Sequence, residues 1–136
     1  MKKLFIFFSF VFLLYSKSIF ADALDVAIKN IDRTPENMQR DQYRNPKATL
    51  NFFGIKPNMS VIELWPSRGW YSEILNPFLD SEGDFIGAGF DPNYASWTPK
   101  AIKRNTKIRA NSKTLSGMKM TILSLNNTPL TEKESV

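Results

Sequence analysis

The sequence predicts an α/β fold, an incomplete sheet of about three strands preceded by short helices. Three observations carry that expectation. Apolar runs from Val61 to Leu64, from Phe85 to Phe90 and from Lys119 to Leu125 have the length and residue types of strands. Trp70 to Leu79, between the first two, places Trp70, Tyr71, Ile74, Leu75 and Phe78 on one broad helical face. The 136 residues suffice for one small domain at most.

The elements follow in order. Residues 1–21 begin Met1-Lys2-Lys3, continue through an apolar centre from Leu4 to Tyr15 and end in small residues, the layout of a cleavable export signal cut after Ala21 or Ala23. An uncleaved membrane anchor is the competing reading, disfavoured by the short apolar centre. The expected destination is the periplasm, and the absence of cysteine excludes lipoprotein attachment. Residues 22–58 form a helical segment. Ala23 to Asn30 reads as an amphipathic helix with Leu24, Ala27, Ile28 and Ile31 inward. Thr34-Pro35-Glu36 opens a second helix with a cap, a first-turn proline and a first-turn acid. Asn45, Pro46 and Gly54 repeat the device, and Leu50, Phe53 and Ile55 are expected to pack that helix down.

Residues 59–125 hold the sheet. Pro66 breaks the first strand and Ser67-Arg68-Gly69 makes a small-residue turn. Asn76-Pro77 is expected to end or kink the following helix early. The second strand ends on Asp91, and Thr98 is placed to cap a helix reaching Arg109. Lys100 to Lys113 is basic and reads as a solvated helix face; a surface for anionic lipid or nucleic acid is the competing reading. Residues 126–136 are polar, without pattern, and expected to be disordered.

Composition works by exclusion. Cysteine and histidine are absent, which removes disulfides, thiolate nucleophiles, imidazole metal ligands and any histidine-based triad or general base. The net charge of +5 includes Lys2, Lys3 and Lys17; without residues 1–21 it falls to +2, so no nucleic-acid partner is expected. The membrane enters only through an uncleaved signal segment. A strand, a tight loop, a helix and a strand ending in an acid form the outline of a nucleotide-type cofactor site.

The strings Asp32-Arg-Thr-Pro-Glu, Tyr43-Arg-Asn-Pro, Phe52-Phe-Gly-Ile-Lys-Pro and Val61-Ile-Glu-Leu-Trp-Pro-Ser-Arg-Gly-Trp-Tyr resemble the exported bacterial class I S-adenosylmethionine-dependent methyltransferase-like proteins. The likeness covers residues 23–98 and, more loosely, the strand near Ile122. It implies a Rossmann-like sheet of seven strands, methyltransferase activity and S-adenosylmethionine as cofactor. Glu63 stands at that family's first acid. Trp65, Ser67 and Gly69 stand where the glycines of an acid-x-Gly-x-Gly-x-Gly loop belong, with Pro66 between them. Asp91 stands at the acid that holds the ribose hydroxyls. Arg68 is a departure, placed to enter the cleft or pair with Glu63. Only three strands fit before residue 136, so the chain is expected to be truncated and of doubtful activity, with an open sheet edge suited to a protein partner. The alternative is a non-catalytic ligand- or partner-binding remnant. Neither the methyl acceptor nor a catalytic residue can be read from the sequence.

Overall fold

A computed structural model describes residues 23–79 and 82–123. The expected export segment, Leu125 and the tail lie outside these residues. The elements are α1 (residues 23–28), α2 (Pro35–Arg44), α3 (Pro46–Phe52), β1 (Ser60–Leu64), α4 (Ser72–Leu79), β2 (Asp84–Phe90), α5 (Thr98–Ala110) and β3 (Lys119–Leu123). The three strands form one all-parallel sheet in the order β1-β2-β3. Ser60 pairs with Asp84 and Leu64 with Ala88 at the two ends of the first ladder; Ile86 pairs with Lys119 and Phe90 with Leu123 in the second. The fold is therefore α/β with an open parallel sheet, compatible with an incomplete Rossmann-like arrangement. No helix among the described residues is long and apolar enough to cross a membrane.

The core gathers on α4. Leu24 and Ala27 of α1, Leu50 of α3 and Phe85 of β2 close around Ile74, Leu75, Phe78 and Leu79. Each is almost fully buried, and burial of a large aliphatic or aromatic side chain contributes roughly 1.5–3 kcal/mol. Helix α3 closes with Gly54 at φ 66°; Ile55 N–H reaches Leu50 O and Gly54 N–H reaches Asn51 O, the paired bonds of a Schellman end.

A buried polar cluster ties α2 to α4. The Arg33 guanidinium donates to Asp41 Oδ2 at 2.7 Å, to Asp41 Oδ1 at 3.0 Å and to Ile28 O at 2.5 Å. Its Nε lies 3.9 Å from Glu73 Oε2 and has no hydrogen-bond acceptor of its own. Trp70 Nε1 donates to both Asn37 O and Asp41 Oδ1 at 2.9 Å. Arg33 and Glu73 side chains are wholly buried, so the charges are tolerated only because they face each other and further donors.

Several expectations need correction. Ile31 is 91% exposed, because helix α1 ends at residue 28 and a turn carries Ile31 away from the core. Phe53 is exposed as well: it is the last residue before the Gly54 reversal, and its ring meets Phe52 edge-on instead of the core. Helix α4 starts at Ser72, since Trp70 and Tyr71 still belong to the turn. It also runs through Pro77 to Leu79. The proline removes one helical donor, but stopping there would leave Phe78 and Leu79, both buried, without their places in the core. Trp97, not Thr98, precedes α5; the Thr98 hydroxyl instead accepts the Ala95 N–H at 3.1 Å and is fully buried.

Candidate functional site

The chain crosses from β1 to α4 through Trp65 to Tyr71, and this loop forms the site. Trp65 N–H still donates to Ala88 O at 2.8 Å, so the sheet holds the loop's first residue. Gly69 N–H then turns back onto Pro66 O at 2.6 Å. Trp65, Ser67 and Gly69 have φ values of 53°, 47° and 81°. Two of these are side-chain-bearing residues in the left-handed region, where a non-glycine residue costs of order 1–3 kcal/mol. Such a conformation survives because the neighbours over-determine it: the sheet on one side, the Pro66–Gly69 turn on the other, and Phe90 stacked on Trp65. Those rings lie 5.1 Å apart with their planes 11° from parallel.

Glu63 sits one residue before the end of β1, opposite Gly87. Ser72 Oγ donates to its Oε2 at 2.6 Å. Burial pushes the Glu63 carboxyl above its ordinary value, with the Ser72 hydrogen bonds opposing the shift. Arg68 does not pair with it. Glu63, Trp65, Pro66, Ser67, Arg68, Trp70 and Tyr71 line a cavity of about 540 Å³, which Arg40 and Arg44 complete from α2. The Arg44 guanidinium lies 4.8 Å from the centroid of the Trp70 ring. A second cavity of about 240 Å³ lies on the other side of Trp65, Pro66 and Ser67, toward Gly89, Phe90 and helix α5.

Four of the six expected site residues thus stand together: Glu63, Trp65, Pro66 and Ser67 share the first cavity. Gly69 is buried and lines neither cavity; a methyl group at its Cα would stand 2.8 Å from Leu115 Cδ1. Asp91 follows β2 directly. Its Oδ1 accepts Asn93 N–H at 2.8 Å and its backbone oxygen accepts Tyr94 N–H at 3.0 Å. The turn so formed carries Tyr94 and Trp97 to Phe90, with ring centroids 5.8 and 5.1 Å away. Trp65, Phe90, Tyr94 and Trp97 therefore make a partly exposed aromatic cluster at the C-terminal ends of β1 and β2.

Sequence reasoning missed Ser72 as the partner of Glu63, and Arg40 as a cavity residue. Ser72 stands three residues after Gly69, where it reads as an ordinary first-turn residue of α4. Arg40 is four residues from Arg44, one helical turn, and that spacing was the available signal. Among the described residues no group of three acidic residues is placed to hold a metal ion. No family model, no curated protein and no solved structure matches the chain.

Proposed function

We propose that the chain is an S-adenosylmethionine-dependent methyltransferase-like protein whose cofactor cleft lies at the C-terminal ends of β1 and β2. The observation that carries this reading is the positive φ at Trp65, Ser67 and Gly69. These are the three glycine positions of the acid-x-Gly-x-Gly-x-Gly loop in the class I methyltransferases that the sequence resembles. A loop that keeps a glycine-type path through a tryptophan and a serine retains the geometry with which a backbone approaches a cofactor.

The surrounding residues fit such a group. The aromatic cluster around Phe90 offers flat surface for a purine ring and electron-rich faces for a sulfonium cation. Asp91, at the end of β2, supplies a carboxylate for a pair of ribose hydroxyls. The cofactor, when bound, supplies an electrophilic methyl group. The chain's own part is positioning: the loop and Asp91 orient the donor, and no general base is needed where the acceptor already carries a lone pair. The test is a titration with S-adenosylmethionine followed by tryptophan emission, since Trp65 and Trp97 both sit at the cleft. Saturable quenching is expected; emission unchanged by the ligand would count against the reading.

A non-catalytic ligand- or partner-binding module is the second reading. One observation favours it: β1 is an edge among the described residues, with Ile62 38% and Leu64 59% exposed. Sedimentation across a range of concentrations tests it. A stable complex supports a partner role, and a lone monomer throughout weakens it.

A further inference from the structure

We propose that the cavity between α2 and the loop after β1 is a receptor for a small tetrahedral dianion, such as a sulfate or a phosphate group, held by Arg40, Arg44 and Arg68. The cavity shares Glu63, Trp65, Pro66 and Ser67 with the expected cofactor residues, but the proposal does not rest on that reading, since it uses only the arginines on the α2 side of Trp65.

Three guanidinium groups line this cavity, two from consecutive turns of α2 and one from the loop. None forms an ion pair among the described residues, where the five ion pairs involve Arg33, Lys47, Lys113 and Lys119. That separates them from ordinary surface arginines offset by a neighbouring acid. The one carboxylate in the lining is Glu63, already bound by Ser72. Three cations against one carboxylate leave two positive charges uncompensated in one concave space.

All three arginines are solvent-exposed, and Arg44 is held by a ring contact. Arg44 lies over the Trp70 ring, and Trp70 is itself locked by its two hydrogen bonds to Asn37 and Asp41. Arg68 is carried by a loop whose path is fixed by the Pro66–Gly69 turn. Arg40 and Arg68 also line an adjoining cavity with Arg104 of α5, where Glu36 is the one carboxylate. Like charges held close without a counter-charge repel, and guanidinium forks match tetrahedral oxyanions in geometry and charge. A monocarboxylate offers one charge and two acceptor oxygens, too few for three guanidinium groups. A dianion with four oxygens meets the requirement.

The test is calorimetric titration of the full chain at low ionic strength with sulfate, inorganic phosphate and pyrophosphate. Sulfate keeps its double charge across the usable pH range, which removes ligand protonation from the comparison. Saturable binding of all three is expected, pyrophosphate tightest, and Arg68→Ala and Arg44→Gln should each weaken it by about tenfold. Arg68 is exposed on a turn, so its substitution leaves folding intact and keeps the test readable if the Arg44 variant is unstable. Lys103→Ala, on the exposed side of α5, should change nothing. Failure of sulfate and phosphate to bind at about 10 mM would overturn the proposal. So would an equal loss on Lys103→Ala, which would mark unspecific attraction. Binding of free methionine without any sulfate binding would also overturn it, assigning the arginines to a carboxylate tail.

Discussion

Thr34 and Glu73, thirty-nine residues apart, form a double hydrogen bond: the Glu73 carboxylate accepts the Thr34 N–H at 3.2 Å and the Thr34 hydroxyl at 2.9 Å. Thr34 precedes α2 as a capping residue should, yet its hydroxyl makes no bond to its own helix. It is committed instead to α4. The acid from α4 thus fastens the start of α2 and faces the buried Arg33, so α2 carries Arg40 and Arg44 to the β1 loop in a fixed position.

Removal of that acid leaves Arg33 with only Asp41 as counter-charge. Glu73→Ala is expected to destabilise the fold by about 3–5 kcal/mol, the range for breaking a buried charge pair. Chemical denaturation measures it, and a loss below about 1 kcal/mol would show that the cluster does not hold α2 in place.

Trp70→Phe probes the same cluster from its other side. The ring volume is largely kept while the indole donor to Asn37 O and Asp41 Oδ1 disappears. The buried Asn37 O and the part-buried Asp41 Oδ1, which keeps Arg33, then lose a donor, at an expected cost of about 1–3 kcal/mol. Unchanged stability would mean that water or a rearranged Asp41 takes the place of the indole.

The loop backbone makes two predictions of opposite sign. Ser67→Gly relieves a left-handed serine at φ 47° and should raise stability by roughly 1 kcal/mol. Gly69→Ala should lower it by at least as much, since φ is 81° and the new methyl group meets Leu115. Thermal melts of both variants decide the matter. A stabilised Gly69→Ala would contradict the assigned loop path.

Much of this architecture was legible in the sequence. Strands β1 and β2 are short apolar runs bounded by turn residues, and Pro35, Pro46 and Gly54 punctuate the helices where local sterics require. What could not be read depends on tertiary context. Ile31 and Phe53 are apolar but follow helix ends, and a one-residue change in the turn decides whether they face inward. Pro77 is a helix breaker by local rules, overridden by burial of Phe78 and Leu79. Glu73 reads as a solvated first-turn acid until Arg33, forty residues earlier, is placed beside it. At the site, Glu63, Trp65, Pro66 and Ser67 were expected from the family resemblance, and they line one cavity. The exposed Arg40 and Arg44 reach the cavity because of how α2 lies against Trp70, which the one-turn spacing alone does not fix.

Glu63 gives the fold a pH dependence. Its folded-state carboxyl titrates above the ordinary value of 4.5, chiefly through burial, so the native state holds this proton more tightly than the unfolded chain. The stabilisation is fully present below about pH 4.5 and is lost as pH rises through the higher folded value. Glu63→Gln, which keeps an acceptor for Ser72, should remove that decline and raise stability at neutral pH relative to the parent. Parallel stability–pH curves for the two proteins would refute the assignment.

The most direct measurement is calorimetric titration of S-adenosylmethionine into the full chain and into its Asp91→Ala variant. Saturable binding to the parent is expected, weakened about tenfold or more when the carboxylate for the ribose hydroxyls is removed. Absence of heat with the parent, or equal affinity for the two proteins, would contradict a cofactor site at the ends of β1 and β2.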